Sequence, residues 1–267
     1  MNVNVNVNAP LLRVSGLIKT YGAMAAVDDV SFEVQAGQVL GIGGPNGAGK
    51  TTLFDVVTGV SRATAGKVEF LGDDVTDLSA EERCHRGMAR TFQLNAVFDT
   101  MSVRENLLAS AYFGSKKRIF PALRYDAASH ARADEAMEIA GLGDFADRAA
   151  SGLPVLQRKL LMLASAIASQ PRLLLLDEPV GGLNMQEIEQ CATVLRRLRD
   201  FHGMTIIVVE HVMSFMAALA DTVMILHHGS KLFHGTAVEM ATHPEVVEVY
   251  LGTSGAKAMT QNQKAEH

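Results

Sequence analysis

The stretch Gly44-Pro45-Asn46-Gly47-Ala48-Gly49-Lys50-Thr51-Thr52 decides how the rest of the chain is read. It fits G-x-x-x-x-G-K-[ST], the phosphate-binding P-loop. Val39-Leu40-Gly41-Ile42 before it reads as a short buried strand, and Thr52 to Val57 after it as the start of a helix. Glycines let the backbone turn tightly, so that successive N–H groups face one concave nest. The helix that follows aims the positive end of its dipole at the same point. A nucleoside triphosphate fills such a nest with anionic oxygens. Lys50 is placed to reach the terminal phosphates, and the Thr51 hydroxyl to ligate Mg²⁺.

A second stretch completes this chemistry. Leu173-Leu174-Leu175-Leu176 is a short, continuous apolar run, which suits a parallel strand covered on both faces. It ends in Asp177-Glu178, a Walker B arrangement. Asp177 is expected to hold Mg²⁺ through oxygen ligands, with water between. Glu178 is expected to polarise the water that attacks the γ-phosphate. Ile206-Ile207-Val208-Val209 is another run of the same kind, and His211 follows it, where a strand-end imidazole could reach the γ-phosphate. Thr91-Phe92-Gln93 supplies a glutamine that could contact both metal and water. Tyr21, upstream, offers an aromatic face for a nucleobase.

Around these points the chain alternates. Leu11 to Val14, Val30 to Val34 and Lys67 to Phe70 read as strands, the last followed by a turn at Gly72-Asp73-Asp74. Leu160 to Ser169, Met185 to Phe201 and Met213 to Ala220 read as helices between the apolar runs. Strand–helix alternation around a P-loop indicates an α/β parallel sheet. From about Asp99 to Leu153 strand signals vanish. Val103 to Phe113 and Ala128 to Ala140 have helical composition, punctuated by Gly114, Pro121, Gly141 and Gly143. The expected fold class is therefore α/β: a P-loop NTPase core with a mostly parallel sheet, an N-terminal antiparallel β subdomain and an inserted helical lobe over approximately 99–160. One domain is expected over 11–252, with flexible tails at 1–10 and 253–267.

The bulk composition narrows the partners. The chain has 267 residues, 48% hydrophobic and 20% charged, and a formal net charge of −5. That balance argues against a nucleic-acid binder, and Lys116-Lys117-Arg118 reads as a solvated loop. Cys84 and Cys191 are far apart and lack metal-ligand spacing, which suits a reducing compartment. The Asn/Val-rich leader Met1 to Asn8 has no signal-peptide pattern. No apolar run approaches the roughly 20 residues of a membrane helix. Any membrane role is expected to run through a partner.

The order aromatic, P-loop, glutamine, acidic pair, histidine resembles the ATP-binding subunit of ABC transporters, over about Leu11 to Gly252. The resemblance implies ATP and Mg²⁺ as ligands, with Tyr21 at the A-loop, Gly44 to Thr52 at Walker A and Gln93 at the Q-loop. It implies Asp177 and Glu178 at Walker B, Gly181 to Asn184 at the D-loop and His211 as the switch histidine. It also implies a head-to-tail dimer, each ATP lying between one P-loop and the other subunit's signature segment. The finer likeness is to ATP-binding subunits of bacterial branched-chain amino acid importers. Five stretches carry it: Ala89-Arg90-Thr91-Phe92-Gln93, Met101 to Leu107, the helical lobe, Gly182-Leu183-Asn184, and Pro244 to Gly252. The ending is shared with a lipopolysaccharide-export ATPase. The partners implied are a second ABC ATPase subunit, two membrane permeases and an extracytoplasmic solute-binding protein. The place implied is cytoplasmic, peripheral on the inner face of the cell membrane.

One segment departs from the family pattern. Where the family carries LSGGQ, this chain has Leu153-Pro154-Val155-Leu156-Gln157. Pro154 has no N–H to give, and Val155 and Leu156 add bulk where backbone is expected to approach phosphate. That segment serves the partner's ATP, so the expectation is a heterodimer with one good site built on this chain's own P-loop, Glu178 and His211. The competing readings are an ATP-holding regulatory module with little turnover of its own and a different P-loop enzyme such as a small-molecule kinase.

Overall fold

The computed structural model describes residues 9–91, 97–114 and 125–250. Strands β1 (Leu12–Tyr21) and β2 (Met24–Val34) form a long antiparallel hairpin. With β4 (Ala65–Phe70) and β5 (Asp73–Asp74) they make an antiparallel sheet in the order β2-β1-β4-β5. In β1, Leu12, Val14 and Leu17 are buried while Arg13 and Ser15 are exposed, the alternation of a sheet with one wet face.

The second sheet has six strands. It contains β3 (Val39–Gly43), β6 (Met88–Arg90), β7 (Leu173–Asp177), β8 (Thr205–Val209), β9 (Thr222–His227) and β10 (Ser230–Gly235), in the order β10-β9-β3-β8-β7-β6. All neighbours are parallel except β10, which is antiparallel to β9. Every residue of β3, β7 and β8 is buried. The continuous apolar runs are explained by this double coverage. Leu173 and Leu175 face one core with Ile207, Val209 and the hairpin. Leu174 and Leu176 face the other with Ile206, Val208 and the helices behind.

Helix α1 (Lys50–Val57) follows β3 and packs Leu53, Phe54 and Val57 into the first core. Its last carbonyls meet a buried arginine from α2 (Ala80–His85). Arg83 donates from Nη1 to the carbonyl oxygens of Val56 (2.8 Å) and Val57 (2.6 Å), and from Nη2 to that of Thr76 (2.7 Å). A cation at a helix C-terminus satisfies carbonyls the helix itself leaves open. The P-loop helix is thereby held at the end remote from its loop.

Helices α3 (Val103–Gly114), α4 (Ala127–Ile139) and α5 (Val155–Ala168) pack together as the helical region and join the second core. Helix α6 (Met185–His202) covers the same sheet face with Ala192, Leu195 and Leu198. Two short helices, α7 (Met213–Leu219) and α8 (Ala237–Thr242), close a small third cluster around Met216, Ile225 and Met240. The sequence reading missed β6, β10, α2 and α8, which run for six residues or fewer, too short for a period to show, and also β9, although its apolar run Val223 to Leu226 is of the same kind as those of β7 and β8. It also started α5 five residues late. Pro154, at φ −57°, is the residue from which that helix departs. No helix among the described residues is long and apolar enough to cross a membrane.

Candidate active site

The glycine loop leaves the middle of the six-stranded sheet, between β8 and β9 on either side of β3. Gly44 has φ +142°, and a Cβ there would lie 2.3 Å from the Leu226 carbonyl oxygen. Gly49 has φ +98°, and a Cβ there would lie 2.2 Å from that of Ala26. Both positions therefore exclude any side chain. Gly49 is also the N-cap of α1 and supplies no side-chain cap. Lys50 is buried, and its Nζ donates to the carbonyl oxygens of Gly44 (2.7 Å) and Pro45 (3.0 Å). Burial lowers its pKa, while the charges of Glu178 and Asp177 pull it back up. The lysine and the acidic pair thus share one electrostatic neighbourhood.

Lys50 and Glu178 also border one space, of which Asp177 is not a lining residue. A cleft of about 490 Å³ is lined by the loop from Asn46 through Thr52, by Met24, Ala25 and Ala26 of β2, by His228 and Gly229, and by Glu178. Thr51 and Thr52 line it from the first turn of α1. The volume is that of an ordinary small-ligand site.

Asp177 ends β7 with its side chain only 2% exposed. Its Oδ2 accepts from Arg90 Nη2 at 2.9 Å, and Arg90 Nη1 donates to Asp55 of α1 at 2.6 Å. Asp177 Oδ1 is buried and has no hydrogen-bond partner among the described residues. Burial raises the pKa of this carboxyl, with Arg90 opposing. A desolvated carboxylate with one oxygen to spare, adjacent in sequence to the cleft-lining Glu178, is a hard-oxygen donor of the kind Mg²⁺ takes.

Glu178 follows directly after this strand. It is left-handed, at φ +48°, unusual for a residue with a side chain. Its peptide is held on both sides. The N–H donates to the Val209 carbonyl (2.9 Å), and the carbonyl accepts from Lys159 Nζ (3.2 Å) and Gly181 N–H (3.3 Å).

The remaining expected residues are spread out. Tyr21 is half exposed at the end of β1, with Lys19 Nζ 4.9 Å from its ring centre, and it does not line the cleft. Its hairpin partner Met24 does. His211 is exposed between β8 and α7 and is likewise not among the cleft-lining residues. Gln93 lies outside the described residues, as does Lys116-Lys117-Arg118. The sequence reading missed four residues at or beside the site: Arg90, Lys159, Glu210 and His228. No local sequence pattern marks any of them as part of the site. Cys191 lies behind β7, and burial pushes its thiol up to about 12.

The signature-position segment requires one correction. Pro154 is the N-cap of α5, without a side-chain cap bond, and Val155 is exposed. Leu156 instead points into the second core. The bulk presented outward is therefore Pro154 and Val155, not Leu156.

A strand, glycine loop and helix at the centre of a parallel sheet, with an acidic pair ending a nearby strand, define a P-loop nucleoside-triphosphatase fold. The family model described as ABC transporter matches residues 27–181. The chain belongs to the ABC transporter family and is an ABC ATPase. It is 34% identical over 250 residues to the high-affinity branched-chain amino acid transport ATP-binding protein BraF of Pseudomonas aeruginosa, covering 91% of this chain and 98% of that one. The LivG protein of Escherichia coli, named for the same transport, is 33% identical over the same shares. A sulfate/thiosulfate import ATP-binding protein of Agrobacterium fabrum is also 33% identical, covering 87% of this chain and 66% of that one. Among solved structures, an ATP-binding cassette in its ADP conformation superposes with a TM-score of 0.81 at 28% identity, covering 92% of this chain and all of that one. A nucleotide-free cassette from an ABC transporter gives 0.80 at 27%, covering 91% and 99%.

Proposed function

We propose that this chain binds MgATP in the glycine-loop cleft and hydrolyses it to drive import of a branched-chain or related amino acid. The observation that carries the chemistry is that Lys50 and Glu178 line one cleft. In this reading Gly44 to Thr52 hold the phosphates, with Lys50 on the outer ones. Thr51, Asp177 and Gln93 hold Mg²⁺, directly or through water. When bound, the ion neutralises charge on the β- and γ-oxygens. Glu178 orients and polarises the attacking water, His211 contacts the γ-phosphate, and Tyr21 stacks on the adenine. The left-handed Glu178 peptide, fixed at both ends, supports the second role, since a base must be held in place to act.

The cargo reading leans on matched length. The branched-chain relatives are covered almost end to end, whereas the sulfate relative extends well beyond the match. The assembly proposed is this chain with a second cassette, two permeases and an extracytoplasmic solute-binding protein, peripheral on the cytoplasmic face of the membrane. Because α5 starts with Pro154 and Val155, the second cassette is an unlike one that supplies a full signature. The test is uptake by vesicles carrying the permeases that co-purify with this chain. ATP-dependent accumulation of leucine but not sulfate is expected. Sulfate uptake alone would overturn the cargo, and absence of ATP binding would overturn the whole reading.

A further inference from the structure

Glu210 is the residue next after β8, and its side chain is 0% exposed. It is bound on three sides. Its N–H donates to the Ile42 carbonyl near the end of β3, at 3.2 Å. Its Oε1 accepts from the N–H of Val180, two residues past Glu178, at 3.0 Å. Its Oε2 accepts from the N–H groups of His211 (3.0 Å) and Val212 (3.4 Å). Among the described residues, the basic side chain within 4.0 Å of it is His211, whose Nδ1 lies 3.6 Å away. No lysine or arginine of the described residues answers this charge at that range.

A fully buried carboxylate without a full cationic partner is costly, and an apolar side chain would fill the same space at no such cost. What this carboxylate adds is geometry. Charge-assisted bonds to backbone N–H groups are short and directional. Here they tie the turn that carries Glu178 to the turn that carries His211, while the backbone N–H of Glu210 joins that second turn to the strand that feeds the glycine loop.

We infer that Glu210 is a positioning residue for phosphoryl chemistry. Its carboxylate holds the Glu178 turn and the His211 turn in fixed relation to each other, without touching the nucleotide. The inference rests on the roles proposed above for Glu178 and His211.

The test compares Glu210→Gln and Glu210→Ala with Glu178→Gln and His211→Ala in the same assembled complex. Glutamine keeps the size and one acceptor oxygen, but sets an NH₂ against backbone N–H donors on the other side. The expected result is a loss of kcat of about 10- to 100-fold, the scale of a misplaced catalytic group. ATP affinity and unfolding temperature should stay near the parent's. The effect should shrink in a His211→Ala background and largely disappear when Glu178→Gln is added, because residues acting as a unit are not additive. An unchanged kcat in a folded Glu210→Gln chain overturns the inference. So do losses of kcat and affinity that track loss of fold, a full effect persisting without His211, or failure of both variants to fold. If instead Glu178→Gln and His211→Ala leave turnover intact, the proposed roles fail first and the inference falls with them.

Discussion

The glycine-loop cleft and the start of α5 are built from opposite materials. In the cleft, two glycines sit where backbone passes within 2.3 Å of any Cβ, and a buried lysine, two threonines and a glutamate line the space. At the start of α5, a proline without an N–H and an exposed valine occupy the helix entry. One region gathers a lysine, hydroxyl residues and a glutamate around one cleft. The other offers no backbone N–H at Pro154 and an apolar side chain at Val155. On the function proposed above, the difference teaches that a cassette's own site and the one it completes for a neighbour are under separate chemical demand.

The largest expected effect strikes the first region. Glu178→Gln should lower ATP turnover by about 10²–10⁴ while nucleotide still binds, the scale of a lost general base. Steady-state phosphate release beside fluorescent-nucleotide titration measures both, and normal turnover in this variant would remove the contrast. Lys50→Ala should act on binding instead. Losing charge-assisted bonds worth about 1.5–3 kcal/mol raises the ATP dissociation constant roughly 10- to 100-fold.

A smaller gain is expected from rebuilding the second region. Pro154→Ser with Val155→Gly restores a hydroxyl and freer backbone, and should raise ATPase activity of the chain paired with itself by about tenfold, the worth of one charged hydrogen bond. Leu156 is left in place, since emptying a buried leucine position costs about 2–5 kcal/mol. Parent homodimers that already hydrolyse as fast as a mixed dimer would end the comparison.

The smallest effect concerns stability. Burial raises the Asp177 pKa, so above that value the folded chain carries a carboxylate that water would stabilise better. This penalty is present at neutral pH and fades as pH falls and the group binds a proton. Asp177→Asn should therefore unfold at or above the parent temperature in metal-free buffer at pH 7, while Mg²⁺-dependent turnover is lost. A clearly lower unfolding temperature would mean that the Arg90 pair outweighs the burial.

Much of the fold was legible because its signals are local. The P-loop spacing, the apolar runs of β7 and β8 and the helical middle each show within about ten residues. The acidic pair was legible for the same reason, lying at the end of such a run. Arg83, Arg90, Lys159 and Glu210 were not. Arg83 works through the carbonyls of Val56 and Val57, Arg90 through Asp55 and Asp177, and Glu210 through Val180. Each partner lies 26 to 87 positions away. A single charged residue in sequence has many possible neighbours, and nothing nearby selects among them.

The order of residues along the chain was enough to locate the glycine loop between a buried strand and a helix and the acidic pair at the end of another strand, because each depends on backbone and side-chain chemistry within one short segment. Folding settled which of those segments meet. It brought Glu178 to the cleft of Lys50, turned Leu156 inward rather than toward a partner, and gathered three strand ends on one buried glutamate. Those outcomes follow from how a parallel sheet aligns its strand ends, which depends on packing across the whole molecule.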